Sequence, residues 1–338
     1  MRRARIEAIA SYLPEEALSN AELAALYPGW SEEKILDKTG IRERRIAGAQ
    51  ETAADLAVRA AGRLFASRRI EPESIDFVLF CTQGPDYFLP TSACLIQQRL
   101  GLRTDCGALD INLGCSGFVY GLALAKGLIE TAAATRVLLL TGDTYSKFIH
   151  PMDKSVRTLF GDGAAATLIR AVDGVEEFIG PFIFGTDGRG AENLIVRTGG
   201  MRRPRTADSN VAASDASGNV RSDDNLYMDG AAIMNFALST VPKTMERLMS
   251  ISNLTVESVD LVVLHQANRY LLDALRRKMA IPAHKFVTCI ERCGNTVSTT
   301  IPLALESVLG RCGEGRARRA ILIGFGVGYS WAGTTITL

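Results

Sequence analysis

Four short apolar runs, Phe77 to Phe80, Val137 to Leu140, Leu261 to Leu264 and Ile321 to Ile323, carry no polar alternation. A strand with one wet face alternates, so unbroken runs of this length predict strands covered on both faces. Stretches with helical spacing lie between them. Over Ser116 to Thr131, Phe118, Leu122, Ala125 and Ile129 fall on one stripe, and Gly117 and Gly121 leave room for a close backbone neighbour. After His265, Leu271, Leu275 and Met279 form another stripe, with Arg276 to Lys278 off it. Strand and helix in alternation predict α/β layers with mostly parallel sheets covered by helices.

The pattern occurs twice. Glu73-Ser-Ile-Asp-Phe-Val-Leu-Phe-Cys81 has a near copy in Glu257-Ser-Val-Asp-Leu-Val-Val-Leu-His265, displaced by 184 residues, and Arg136 to Gly142 matches Arg319 to Gly324 at a displacement of 183. The closing segments from Gly163 and from Gly333 also agree in type. Three matches in one order predict a duplication, with halves at residues 1–172 and 173–338. Thr198 to Asp224 interrupts the pattern with Arg, Ser, Asp, Asn and Gly and few large apolar residues, which predicts a long surface loop.

Composition narrows the function classes. The 338 residues are 47% hydrophobic and 22% charged, enough apolar side chain for a packed core. Lys plus Arg number 38 against 37 Asp plus Glu, so no general field draws nucleic acid or an anionic membrane, and any anion site is local. No apolar run approaches the ~18 residues of a membrane span, and Glu7 interrupts the basic start where a signal peptide needs its apolar core, so a cytoplasmic location is expected. Cysteines at 81, 94, 106, 115, 289, 293 and 312 are odd in number and lack paired spacing or neighbouring histidines. Neither a disulfide scaffold nor a metal site is expected.

Candidate chemistry sits at element ends. In Ala108-Leu-Asp-Ile-Asn-Leu-Gly114-Cys115-Ser116-Gly117 a strand runs through a glycine turn into a helix, placing Cys115 at the helix N-terminus. Unpaired N–H groups and the positive end of the helix dipole favour a thiolate there, which predicts a lowered pKa and a reactive thiol. Alone, the motif also fits a packing cysteine. His265 ends the apolar strand that Cys81 ends in the first copy, whereas His150 and His284 lie in polar contexts and are read as structural. Asn295, in Arg292-Cys-Gly294-Asn295-Thr-Val-Ser-Thr, stands in a turn before an amphipathic helix, and Gly-Asn by itself indicates only the turn.

Taken together, Cys115 in Gly-Cys-Ser-Gly-Phe, His265 in His-Gln-Ala-Asn and Asn295 in Cys-Gly-Asn-Thr resemble the Cys-His-Asn triad of the β-ketoacyl-acyl-carrier-protein synthase III family. Thr39-Gly-Ile-Arg-Glu-Arg44, Phe160-Gly-Asp-Gly-Ala164 and Gly324-Phe-Gly-Val-Gly-Tyr-Ser-Trp331 are similar to further motifs of that family, so the resemblance spans the chain. It implies a thiolase fold, two duplicated halves in a five-layered α-β-α-β-α architecture, and a homodimer. It also implies a decarboxylative Claisen condensation. Cys115 takes an acyl group from acyl-coenzyme A or an acyl-carrier protein, with the N–H groups of Cys115 and Val327 as the oxyanion hole. His265 and Asn295 then stabilise the enolate of a malonyl thioester, malonyl-acyl-carrier protein in the usual case. No cofactor or metal is implied, because coenzyme A or phosphopantetheine thioesters are substrates. By the same resemblance Phe88, Lys38, Lys154, Gly230, Asn268 and Arg269 bind substrate, Phe88 by reaching into the partner subunit's acyl pocket.

Departures from the family pattern bear on the donor. Lys34 stands where the family carries a tryptophan that stacks on adenine, with Trp30 four residues away. Lys38 and Lys154 replace phosphate-binding arginines, and Ala231 and Met234 replace an expected Asn and Phe after Gly230. Charge survives while the stacking surface is lost, so a carrier-linked donor is expected to outperform coenzyme A. A degradative thiolase would need a second cysteine within Phe325 to Tyr329, which has none, and a papain-like hydrolase is not a duplicated α/β protein. Acyl transfer to an alcohol or amine without decarboxylation shares the acylation of Cys115 and stays open. An inactive binding protein on this scaffold would have a broken triad.

Overall fold

The computed structural model describes residues 1–309 and 318–338; Cys312 lies outside them. The first sheet runs, in spatial order, Arg2–Tyr12, Gly163–Asp173, Arg136–Asp143, Phe77–Cys81 and Gly107–Ile111, with the last three strands parallel to one another. The second runs Ile179–Thr186, Ser330–Thr337, Arg319–Gly326 and Leu261–Leu264. At its far edge Val262 makes a parallel bridge to Phe286, where the first sheet has Gly107–Ile111. Position by position the two sheets have the same strand order and directions, and the segments paired in the sequence occupy equivalent strands.

Alternate residues of each apolar run enter different cores, which is why the runs are unbroken. Val78, Phe80, Leu138 and Leu140 pack under the helices Ala53–Arg68 and Ser92–Arg99. Val262, Leu264, Ile321 and Ile323 pack under Gly230–Ser252 and Arg269–Lys278. Leu79, Val137, Leu139, Leu261, Val263 and Leu322 face a shared middle layer made by Gly117–Glu130 and Thr300–Leu309. The result is helix, sheet, helix, sheet, helix, a five-layered α/β arrangement. Side chains point to opposite faces of a strand, so each strand of a sandwiched sheet must be apolar on both.

Phe118, Leu122, Ala125 and Ile129 are all buried on the predicted stripe of the middle helix. Its glycines do what their positions suggested. A Cβ at Gly117 would fall 2.2 Å from Cys81 Sγ, and one at Gly121 2.5 Å from Leu139 Cδ1, so the helix lies directly on the sheet.

The region 198–224 differs from expectation. It is not a bare loop but folds locally, with a one-turn helix at Asp208–Asn210 and a hairpin pairing Ala213–Ser214 with Val220–Arg221. Arg221 ties the hairpin down, its Nε on Asp153 Oδ2 at 2.7 Å and its Nη2 on Asp215 Oδ2 at 2.9 Å. Polar side chains that hydrogen-bond nearby backbone order such a segment without an apolar core, a signal that hydrophobic periodicity does not register.

Gly121→Val should destabilise the chain by about 1–3 kcal/mol through overpacking against Leu139. The midpoint of urea unfolding measures it, and an unchanged midpoint would mean that the middle helix does not seat on the sheet as described.

Candidate active site

Three turns converge on Cys115, two of them at the carboxyl ends of strands. The first carries the cysteine itself, from Gly107–Ile111 into the helix Gly117–Glu130. The second is the turn after Arg319–Gly326. A Cβ at Gly324 would lie 2.6 Å from the Cys115 carbonyl oxygen, and one at Gly326 2.9 Å from Cys115 Sγ, so only glycine lets this turn lie against the cysteine. In that position the N–H groups of Cys115 and Val327 both pull the thiol's pKa down. The two donors expected of an oxyanion hole thus both act on the thiol.

The third turn holds Asn295. Its N–H donates to Leu159 O at 2.9 Å and its carbonyl accepts from Gly161 N at 3.1 Å, a bridge to the Phe160-Gly-Asp-Gly segment. Gly161 and Gly294 leave space for it, since a Cβ at Gly161 would fall 2.1 Å from Cys293 O and one at Gly294 2.9 Å from Leu159 O. Asn295 Oδ1 accepts from Val297 N at 2.9 Å. An amide that spends its oxygen in this way presents its NH₂ as the remaining group, a donor that does not ionise.

His265 stands one residue past Leu261–Leu264, its N–H on Ile323 O at 2.9 Å. Its Nδ1 lies 2.7 Å from Thr300 Oγ1, and its ring packs edge-on against Phe325. Cys115, His265 and Asn295 line one cavity of about 60 Å³, together with Gly230 and Asn268 and with Phe160, Met234 and Phe325. A larger cavity of about 900 Å³, which shares Leu194 with the first, is lined by Phe88, Tyr145, Phe148, Val196, Leu226 and Val327.

Burial dominates the electrostatics. Cys115 is only 4% exposed. Loss of solvent first, and the buried Asp143 carboxylate second, push its thiol up to about 12, against the two N–H groups that pull it down. The expected lowering by the helix terminus is therefore corrected: desolvation of an enclosed thiolate outweighs the partial charges of a helix end. Burial likewise lowers His265 to about 3, so its imidazole is neutral at pH 7. Asp143 itself is raised to about 7 by burial, while bonds from Ser298 and Gln83 oppose the rise.

The peripheral residues divide. Gly230 opens a helix capped by Asp229 and leaves the cavity wall clear. Asn268 Oδ1 caps its own helix through Leu271 N at 2.8 Å, so only its NH₂ is left for a ligand. Lys38, Lys154 and Arg269 line neither cavity. Lys154 Nζ donates to Ser217 O at 2.6 Å in the hairpin of 198–224, and Lys34 and Lys38 both stand over the Trp30 ring. Phe88 is 78% exposed between Tyr87 and Leu89, which are also exposed.

Several further residues shape the site from outside its cavity. Arg44 of the Thr-Gly-Ile-Arg-Glu-Arg motif is fully buried, donating to Asn20 Oδ1 at 2.7 Å and Thr158 O at 2.8 Å beside Gly161 and Gly294. Asp162 accepts from Ala47 N and Ser146 N. These motif residues hold the Asn295 turn rather than touch the cavity. Asp143, Gln83, Val297 and Thr300 become visible as site residues only in three dimensions.

Sequence profiles for 3-oxoacyl-[acyl-carrier-protein (ACP)] synthase III and for its C-terminal part match residues 109–188 and 249–338. The beta-ketoacyl-[acyl-carrier-protein] synthase III of Caldanaerobacter subterraneus subsp. tengcongensis is 32% identical over 329 residues, covering 96% of this chain and 95% of its own length. A solved 3-oxoacyl-(acyl-carrier-protein) synthase III superposes with a TM-score of 0.98 at 60% identity, covering 99% of this chain and 100% of that one. The 3-oxoacyl-(acyl-carrier protein) synthase of Burkholderia xenovorans LB400 does so with a TM-score of 0.91 at 37% identity, covering 100% and 95%.

Because the free Cys115 thiol is raised, its alkylation by iodoacetamide should be slow at pH 7 and keep rising beyond pH 9. Asp143→Asn removes one of the two causes of the rise and should move the profile to lower pH. Rates by mass spectrometry on the intact chain decide it, and a wild-type plateau below pH 8 would mean a resting thiolate.

Proposed function

The chain belongs to the 3-oxoacyl-[acyl-carrier-protein] synthase III family, and from that premise we propose that it joins an acyl thioester to a malonyl thioester by decarboxylative Claisen condensation, giving a β-ketoacyl product. The observation that carries the reading is the convergence of Cys115, His265 and Asn295 on one cavity, with the Cys115 and Val327 N–H groups both drawing the thiol's pKa down. Cys115 attacks the acyl thioester, and the N–H groups of Cys115 and Val327 hold the oxyanion of the tetrahedral intermediate. The malonyl thioester then enters past Gly230 and Asn268. Loss of carbon dioxide leaves an enolate whose oxygen accepts from Asn295 Nδ2 and, when the ring carries a proton there, from His265 Nε2. The enolate carbon attacks the acyl carbon and the C–S bond to Cys115 breaks. A dry cavity strengthens each of these bonds relative to water.

The larger cavity suits the acyl chain. Its volume of about 900 Å³ and its apolar walls accept a group well beyond two carbons. Exposed Tyr87, Phe88 and Leu89, of which Phe88 lines this cavity, support a homodimer in which this loop is covered. Among the described residues no helix is long and apolar enough to cross a membrane, in keeping with soluble thioester substrates.

For the donor, Trp30 is engaged by Lys34 and Lys38, and Lys154 by the hairpin. Exposed Arg202, and Arg203, Arg205 and Arg269 in surface ion pairs with Asp223, Asp224 and Asp273, offer basic groups for an acidic carrier protein. A carrier-linked acyl donor should therefore exceed the coenzyme A thioester in kcat/KM, by a margin that shrinks with added salt. Stacking of a base on an aromatic is worth about 1–3 kcal/mol, so coenzyme A should gain little over pantetheine. A salt-independent coenzyme A advantage above about tenfold would contradict this, since it would require adenine stacking of that size.

Asn295→Ala should still load an acyl group on Cys115 but lose malonyl decarboxylation by about 100- to 1,000-fold, as removal of one preorganised donor does. Mass spectrometry of the loaded chain and released carbon dioxide read the two half-reactions separately. Product formed with an alcohol or amine acceptor, with no decarboxylation by the unmutated protein, would favour simple acyl transfer instead.

A further inference from the structure

We propose that the buried pair of Ser116 and Ser330 sets the spacing of the two oxyanion donors, which makes both serines positioning residues for the acylation of Cys115. Their hydroxyl oxygens meet at 2.7 Å, and neither serine is more than 5% exposed. The bond joins the two halves of the chain. Ser116 follows Cys115 directly, and Ser330 stands three residues after Val327. The donors themselves, the N–H groups of Cys115 and Val327, lie on turns that leave different sheets. Gly324 and Gly326 allow those turns to touch, yet a missing Cβ supplies neither attraction nor direction. The serine bond supplies both.

Ser116 gives up a local bond for this contact. It is the N-cap of Gly117–Glu130, where a serine usually accepts from an N–H of the first turn. Here it has φ −88° and ψ −11° and makes no such bond, so its hydroxyl is spent across the halves instead. The far side of the Val327 turn is held as well. Tyr329 has φ +47°, a left-handed conformation that a bulky residue rarely adopts. Its ring stacks on Phe236 with centroids 4.1 Å apart, its hydroxyl accepts from Asn193 Nδ2 at 2.8 Å, and its carbonyl accepts from Asp187 N at 3.0 Å. Ser330 pairs with Gly326 across the base of the turn, so one flank rests on the Cys115 sulfur and the other is tied to Ser116. Strain held at a site by its surroundings points to a constraint worth more than the strain.

The inference rests on the proposed condensation for the identity of the acyl step. When the Cys115 sulfur bonds to the thioester carbon, the carbonyl π pair moves onto oxygen, and that oxygen needs both N–H groups at once. As the carbonyl re-forms, the C–S bond to the carrier breaks, and overall the Cys115 proton ends on the departing sulfur. A displacement of about 1 Å, even one caused far from the chemistry, can cost such a step about 100-fold. Neither serine lines the Cys115 cavity or the larger one. Both therefore act only through the turns they join.

Single-turnover loading of Cys115 tests this, followed by mass spectrometry of the intact chain with the acyl-pantetheine thioester that the unmutated chain loads fastest. Ser330→Ala and Ser116→Ala should each slow loading by about 10- to 100-fold. Alkylation of Cys115 by iodoacetamide at the same pH should fall far less, because displacement of iodide at a saturated carbon forms no oxyanion. A side chain that merely supports the fold would slow both reactions alike. The double variant should load no more slowly than either single one, since the two hydroxyls form one bond. Loading at the unmutated rate in both single variants overturns the proposal, as do equal losses of loading and alkylation, or losses that multiply in the double variant. Loading of the unmutated chain without β-ketoacyl product would sink the condensation reading while the serine tie, read on loading alone, stood.

Discussion

Backbone lies against backbone where the two sheets present their strand ends, and this contact sets the terms for the rest of the site. At Gly324 and Gly326 the second half leaves no room for a methyl group between its turn and Cys115, and at Gly161 and Gly294 the same holds between the Phe160 segment and the Asn295 turn. Close-packed turns of this kind exclude water and fix their N–H groups without side-chain entropy. They bring the Cys115 and Val327 N–H groups to bear on the thiol, and they leave a cavity of about 60 Å³.

Exclusion of water has an electrostatic consequence. A thiolate or an imidazolium in such a space has lost its hydration, and the nearby buried Asp143 carboxylate adds to the cost of the thiolate. The resting pair is therefore a neutral thiol and a neutral imidazole. Charge that forms in this cavity meets the Asn295 amide and the glycine turn before Val327. Preorganised dipoles in a dry site act most strongly on charge that develops in the transition state. The helix N-terminus behind Cys115 contributes to that field without ionising the thiol beforehand.

Much of the architecture was legible along the chain because its signals are local. The four unbroken apolar runs, the stripe from Phe118 to Ile129 and the two repeat displacements each describe residues whose environment follows from their own neighbours in sequence, and they led to two equivalent sheets and a middle helix layer. Cys115, His265 and Asn295 were legible for a related reason: each follows a strand or a glycine turn that a reader can recognise. The hairpin within 198–224 was missed because its order comes from polar side chains and a long-range tie, Arg221 to Asp153.

The sequence by itself determined the layers and the repeated strand pattern, because periodicity and turn chemistry are written residue by residue, and it singled out three candidate groups by their likeness to a family's motifs. Only the tertiary structure decided the state of those groups. Whether a helix-terminal cysteine is a thiolate depends on how much water its neighbours exclude, and those neighbours, Val327 and Asp143, are distant along the chain. The same is true of Thr300, which lies 35 positions from His265 and meets it at 2.7 Å because two layers of the fold place their element ends side by side.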